Sequence, residues 1–327
     1  MRDHGGDLDA AARLYGGAPE EWLDLSTGIN RLPYPIPSLA PDIWRALPTA
    51  AAIRDLEDAA RAAYGAPGPL VALAGAQAAI QLAPRLRSAG LARVLSPTYN
   101  EHAAALCACG WRVEAVASAA DLAGADLAVI VNPNNPDGRV HAPDALRALA
   151  GEVGLLVVDE SFADPHPELS VADAASSETG GEIFVLRSFG KFYGLAGIRL
   201  GFALGREATL ARLRELAGPW AVSGPAIAIG AAALRDARWR ATAIARLGED
   251  AQRLDAMAGA AGLAPVGGTA LFRLYETPDA ARAQERLAQR RIWSRVFPYS
   301  RTWLRLGLPG GEEEWARLAA ALDGLRG

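Results

Sequence analysis

Residues 182–204 read EIFVLRSFGKFYGLAGIRLGFAL, and this stretch decides the fold. It opens with an apolar run of strand length, 182–188, passes through Ser188-Phe-Gly-Lys191, and closes on a second run, 199–204. Lys191 is the only lysine in a chain of 327 residues that carries 33 Lys and Arg. Drift from lysine to arginine accounts for the arginines, but it leaves open why this lysine stays. Arginine remains protonated in proteins, whereas lysine can shed a proton and act as a nucleophile.

Working outward, short apolar runs alternate with helical segments. The runs are LVALA (70–74), ARVLS (92–96), WRVEAV (111–116), LAVIV (127–131) and GLLVVD (154–159). Helices are expected over Ile53–Tyr64 and from Gln77, Asn100 and Pro143. Continuous apolar strands separated by helices predict an α/β protein with a mostly parallel central sheet covered on both faces. Ligands bind such sheets at the carboxyl ends of the strands. After Leu234 come Arg- and Ala-rich helices and then an α+β pattern. It has strands near Thr269–Tyr275, Ile292–Val296 and Trp303–Leu308, a helix near Asp279–Arg291 and a last helix. Residues 1–50 are irregular and proline-rich. The expected organisation is an arm and part of a small domain over 1–50, a large domain over 51–235 and the rest of the small domain over 236–327.

Composition excludes several classes. A net charge of −4, with 51% hydrophobic and 21% charged residues, is ordinary for a globular protein and gives no reason to expect nucleic-acid binding. The N-terminus lacks an apolar signal-peptide core, and Pro219 and Pro225 interrupt the uncharged stretch 216–234, so no membrane span is expected. Cys107 and Cys109, without further Cys or adjacent His, read as reduced core cysteines rather than a metal site and suit the cytoplasm. Neither G-x-G-x-x-G after a first strand nor G-x-x-x-x-G-K-[ST] is present, which argues against a nucleotide-binding enzyme.

Polar residues gather just past the strands: Gly75-Ala76-Gln77, Asn132-Pro-Asn-Asn135-Pro-Asp-Gly138, Asp159-Glu160-Ser-Phe162, and Ser188 to Arg199 around Lys191. N-P-N-N-P-x-G, then V-V-D-E, then S-x-x-K with an arginine eight residues on, resembles the signature series of fold-type I pyridoxal-phosphate (PLP) enzymes. The likeness runs in order over most of the chain. It implies that Lys191 forms the Schiff base with PLP, that Asp159 pairs with the pyridinium nitrogen and that Asn135 bonds the phenolic oxygen. Ser188, Arg199 and the backbone of Gly75, Ala76 and Gln77 would hold the cofactor phosphate. Elementary chemistry agrees, since helix N-termini and arginine forks suit phosphate, and a carboxylate stabilises a protonated ring nitrogen. Tyr99 resembles the aromatic that stacks on the ring; a buried core tyrosine is the alternative.

The reaction is narrowed by finer likenesses. His4-Gly5-Gly6, Leu23 to Asn30, Leu32 to Pro37 and Pro219 to Ser223 resemble the threonine-phosphate decarboxylase branch of cobalamin biosynthesis. Phe162 stands where transaminating relatives carry a tyrosine that donates to the phenolic oxygen, and it cannot donate. By the same resemblance Arg305 would grip the substrate α-carboxylate and Arg295 a substrate phosphate, with His4 and Asn30 also binding substrate; surface arginine is the alternative for both arginines. The implied partner is a phosphorylated amino acid, no metal is implied, and a homodimer with shared active sites is expected. Arg45-Ala-Leu-Pro48 lacks the tyrosine that relatives use across subunits, and Gly28-Ile-Asn30-Arg31 departs from their N-I-N-P. The alternative implied activity is a PLP-dependent aminotransferase acting on histidinol phosphate or a related amino acid. A non-catalytic scaffold, as in PLP-binding transcription regulators, would need a basic helix-turn-helix that the sequence lacks.

Overall fold

The computed structural model describes residues 4–325. The chain divides into two compact units: residues 34–135 with 140–241, and residues up to 33 with 136–139 and those from 242 onward.

The larger unit is built on a seven-stranded sheet. In spatial order its strands are Leu70–Leu73, Gly201–Leu204, Ile183–Ser188, Leu156–Asp159, Leu127–Val131, Leu91–Leu95 and Arg112–Val116. All neighbours run parallel except Gly201–Leu204, which is antiparallel to both its partners. Leu127–Val131 and Leu156–Asp159 are buried at every position. Such burial on both faces explains why these strands are continuous apolar runs rather than alternating ones. The strand 199–204 expected from sequence starts two residues later, because Arg199 sits at φ 54° in the left-handed region and closes a turn instead.

Residues 34–50, read from sequence as arm and part of the small domain, group with the larger unit. The Tyr34 N–H donates to the Tyr193 carbonyl at 2.9 Å, and its ring meets Trp239 edge-on at 5.3 Å. Residues 236–241 join this unit as well.

The smaller unit holds a four-stranded antiparallel sheet, Arg295–Phe297, Ser300–Gly307, Phe272–Glu276 and Ala264–Thr269, and a short parallel pair, Leu23–Asp24 with Ile292–Trp293. Two sequence expectations change here. The single strand near 269–275 is a hairpin, turned where the Leu271 N–H bonds the Thr269 hydroxyl at 3.1 Å. The strand 292–296 is two strands that pair with different partners. The N-terminal region is also not wholly irregular. Leu8–Tyr15 forms a helix whose N-cap, Asp7, accepts from the Ala10 N–H at 2.8 Å.

Residues 136–139 reach this unit through close backbone packing. A Cβ on Gly138 would lie 2.0 Å from the Gly268 carbonyl oxygen, and one on Gly267 would lie 2.1 Å from that of Asp137. Cys107 is exposed rather than core, because its short helix Glu101–Ala108 turns that face outward. No helix among the described residues is long and apolar enough to cross a membrane.

Candidate active site

In the larger unit the polar residues singled out from sequence stand just past the carboxyl ends of the parallel strands, except Arg199, which precedes the antiparallel strand Gly201–Leu204. Lys191 lies on a single helical turn, Phe189–Phe192, directly after the Ile183–Ser188 strand, with Ser188 as its N-cap residue. Its side chain is half-buried, and Nζ stands 5.8 Å from the centre of the Phe162 ring. Phe162 is itself buried.

Asp159 ends its strand and is buried. Its Oδ2 is 2.8 Å from His102 Nε2, while Oδ1 accepts the Ser161 N–H at 2.9 Å and the Ser161 hydroxyl. Burial alone would raise the carboxyl pKa; the His102 hydrogen bond and charge, with the two Ser161 donors, outweigh it and hold the group below the usual carboxylate range. An ionised carboxylate kept inside an apolar sheet is suited to face a cationic ring nitrogen. His102 was not singled out from sequence. Its only signal there is a place on the helix after Leu91–Leu95, three residues past Tyr99.

The Gly75-Ala76-Gln77 turn is built for close approach. Gly75 has φ 80°, and a Cβ there would lie 2.9 Å from Arg199 Nη2. Its amide is committed to the Leu73 carbonyl at 2.7 Å, so Gly75 contributes its missing side chain rather than the N–H expected of it. Ala76 and Gln77 occupy the first helical positions, whose N–H groups have no partner within a helix. Arg199 is exposed and bonds the Ala196 carbonyl at 3.0 Å. Gly201 lies against the same turn: a Cβ would fall 2.3 Å from the Ala76 amide nitrogen and 2.6 Å from the Gly75 carbonyl carbon. Gly201→Ala is therefore expected to displace the turn and cost about 1–3 kcal/mol, read by urea unfolding. Unchanged stability would mean that the turn yields freely.

Tyr99 is half-buried; its hydroxyl bonds Gln77 Oε1 at 3.2 Å and its ring meets His102 edge-on at 6.2 Å. Asn135 is half-buried at the end of the loop after Leu127–Val131. The loop is fixed by its neighbours: Asn132 accepts the His141 N–H at 2.8 Å, and Asn134 accepts from Thr98 at 2.6 Å. A glycine-backed arginine, free first-turn amides, a buried carboxylate and one primary amine together fit the phosphate, ring nitrogen and aldehyde of pyridoxal phosphate.

The smaller unit brings a second set together. Arg295 and Arg305 face each other in register on adjacent antiparallel strands. Like charges directly opposite destabilise a strand pair, so this arrangement invites an anion. Arg305 is buried, its guanidinium carbon 4.8 Å from the Phe272 ring centre. Burial first, and Arg295 second, lower its pKa to about 10. Its Nη2 donates to the Ser26 carbonyl at 2.6 Å.

Ser26, not singled out from sequence, also ties down the N-terminal segment. Its hydroxyl accepts the Gly6 N–H at 2.7 Å and donates to Asp24 at 2.6 Å. A Cβ on Gly5 would lie 2.5 Å from the Ser26 carbonyl oxygen. The glycines after His4 thus have a steric reason. His4 itself is exposed. Asn30 is buried, and its Oδ1 accepts from Arg246 at 2.7 Å and from the Leu32 N–H at 3.1 Å, so that oxygen is used inside the unit.

The family model for aminotransferase class I and II matches residues 40–322. A threonine-phosphate decarboxylase from Sinorhizobium sp is 47% identical, over 98% of this chain and 97% of that protein. A threonine-phosphate decarboxylase from Pseudomonas aeruginosa is 45% identical, over 100% of this chain and 98% of that protein. The crystal structure of histidinol-phosphate aminotransferase from Sinorhizobium meliloti in complex with pyridoxal-5'-phosphate is similar in fold. Its TM-score is 0.83 at 21% identity, covering 100% of this chain and 95% of that one.

Proposed function

The chain belongs to the aminotransferase class I and II family, and on that premise we propose that it decarboxylates L-threonine O-3-phosphate to (R)-1-amino-2-propanol O-2-phosphate, a step of cobalamin biosynthesis, with pyridoxal phosphate bound at Lys191. The observation that carries this reading is the full-length identity of 45–47% to two proteins of that activity. Phe162 supports it, since a phenyl ring beside Lys191 cannot make the phenolic-oxygen bond that a tyrosine makes in transaminating relatives.

When bound, pyridoxal phosphate supplies a conjugated ring that accepts the electron pair of the breaking Cα–carboxylate bond. Asp159 stays ionised to hold the protonated ring nitrogen, and His102 and Ser161 keep it so. Asn135 is the donor to the phenolic oxygen, and Tyr99 the stacking ring. Arg199, Ser188 and the Ala76 and Gln77 amides hold the cofactor phosphate. Lys191 Nζ would deliver the proton to Cα as general acid. Arg305 takes the substrate carboxylate and Arg295 its phosphate, with His4 and Asn30 as further contacts. A substrate phosphate held by Arg295 would favour loss of the carboxylate over loss of the Cα proton.

The finer assignments belong to the same proposal. Ile36, Trp44, Leu47 and Trp220 leave large apolar side chains in water, which supports a homodimer. The free Cys107 and Cys109 suit the cytoplasm.

The test is to load the protein with pyridoxal phosphate, add L-threonine phosphate and follow CO2 and amine. Stoichiometric release of both is expected without any keto acid. Amino transfer that needs a keto acid and releases no CO2 would overturn the reading. Arg295→Gln is expected to raise KM for the phosphorylated substrate by about 10- to 100-fold, as loss of a charge-assisted hydrogen bond implies.

A further inference from the structure

A buried charge cluster adjoins the turn that carries Lys191, and the proposed chemistry does not use it. Its centre is Arg187, the residue before Ser188, which is 3% exposed. Arg187 Nη1 lies 2.7 Å from Glu160 Oε2 and Nη2 lies 3.3 Å from Asp164 Oδ1. Its guanidinium carbon sits 4.2 Å from the centre of the Tyr64 ring. Glu160 directly follows Asp159 and is itself fully engaged, accepting the Ser170 hydroxyl at 2.6 Å and the Val171 N–H at 2.7 Å. One guanidinium therefore links the strand end that bears Lys191 to the strand end that bears Asp159.

The Tyr64 hydroxyl faces Arg187 and the Tyr193 hydroxyl faces Arg240, so the same buried cluster takes in both phenols. Tyr193 belongs to the lysine turn as its C-cap residue, and its ring is stacked on Phe189 at 4.3 Å and on Trp239 at 5.4 Å. Burial holds the Asp164 carboxyl above its usual range despite Arg187 and Arg240. The ionisable groups packed here are Glu160, Asp164, Arg187, Tyr64, Tyr193 and Arg240, the last facing Tyr193 and Asp164.

We propose that Arg187, pinned by Glu160 and Asp164, is the positioning residue that fixes the Lys191 turn against Asp159. The proposal rests on the reading of Lys191 as the cofactor-bearing residue. An arginine suits the task because a planar fork can reach two carboxylates and stack on a ring at once, whereas an ammonium is a single point charge.

The test compares the PLP-loaded parent with Arg187→Lys, Asp164→Asn and Tyr193→Phe. The last two preserve shape, so they report even where Arg187→Lys fails to fold. Three quantities are followed: the pH midpoint of the visible cofactor band, the rate of cofactor loss on dilution, and kcat separately from KM. Arg187→Lys and Asp164→Asn are expected to move the midpoint by about half a unit or more. They should lower kcat by about 10- to 100-fold, the effect of a misplacement near 1 Å, with KM little changed. Tyr193→Phe should shift the midpoint in the same direction by less. Variants that unfold more easily but titrate and turn over like the parent would make the cluster merely structural and overturn the proposal. A parent whose visible band survives Lys191→Ala would instead overturn the reading of Lys191, a distinguishable result.

Discussion

Lys191→Ala is expected to abolish the visible absorbance of the PLP-loaded protein and to lower CO2 release from L-threonine phosphate by at least about 1000-fold. Loss of a general acid alone costs about 10²- to 10⁴-fold, and here the same amine also anchors the cofactor. The sharper variant is Lys191→Arg. Every other basic position among Lys and Arg in this chain is already arginine, so a lysine kept only for its charge would tolerate the change. A guanidinium stays protonated and offers no neutral amine, so Lys191→Arg is expected to be as inactive as the alanine variant. The fold should survive both. Lys191 is only half-buried, and its cation–π contact with Phe162, at 5.8 Å, is worth about 1 kcal/mol at most. Absorbance spectra, borohydride trapping and thermal unfolding separate the effects. A visible band that persists in either variant and is trapped by borohydride would place the cofactor on another group.

The large sheet was legible because each of its central strands is apolar throughout, and only a strand covered on both faces has reason to be so. The order of Asn135, Asp159, Lys191 and Arg199 along the chain was legible for a related reason. Parallel crossovers return every strand's carboxyl end to one edge, so residues just past successive strands become neighbours. Other features escaped because they depend on pairing that one stretch of chain does not reveal. His102 meets Asp159 across 57 positions, through helix packing that no local pattern encodes. Arg295 and Arg305 were each read as anion ligands, but their direct opposition appears only in the register of two strands. The hairpin at 264–276 was merged into one strand because Thr269 and Ala270, residues an extended strand tolerates, make its turn. The helix Leu8–Tyr15 was hidden by the glycines around it and by the proline-rich stretch that follows.

Asp159→Asn changes one atom and should remove most of the activity while leaving the shape intact. The parent carboxylate is buried, yet His102 and Ser161 hold its pKa below the usual carboxylate range, so it is ionised throughout the working pH range. An amide cannot stabilise a protonated ring nitrogen by charge, and it replaces one accepting oxygen with a donor. That donor meets either His102 Nε2 or the Ser161 N–H and hydroxyl, so either His102 must change tautomer or a Ser161 hydrogen bond is lost. A drop in kcat of about 10²- to 10³-fold is expected, the scale for losing one preorganised electrostatic contact. Stability adds an independent sign test. A carboxylate whose folded pKa is depressed contributes stability that is fully present above its unfolded pKa, about 3.9, and is lost as pH falls through the folded value. Asp159→Asn should therefore cost about 1–3 kcal/mol near pH 7, and the gap from the parent should narrow as the pH is lowered below about 4. Urea unfolding of the cofactor-free proteins across that range reads the difference. A gap that widened with acid would mean that Asp159 is protonated in the folded protein. Such a group could not serve a cationic ring, and a variant with near-parental kcat would remove Asp159 from the chemistry on its own.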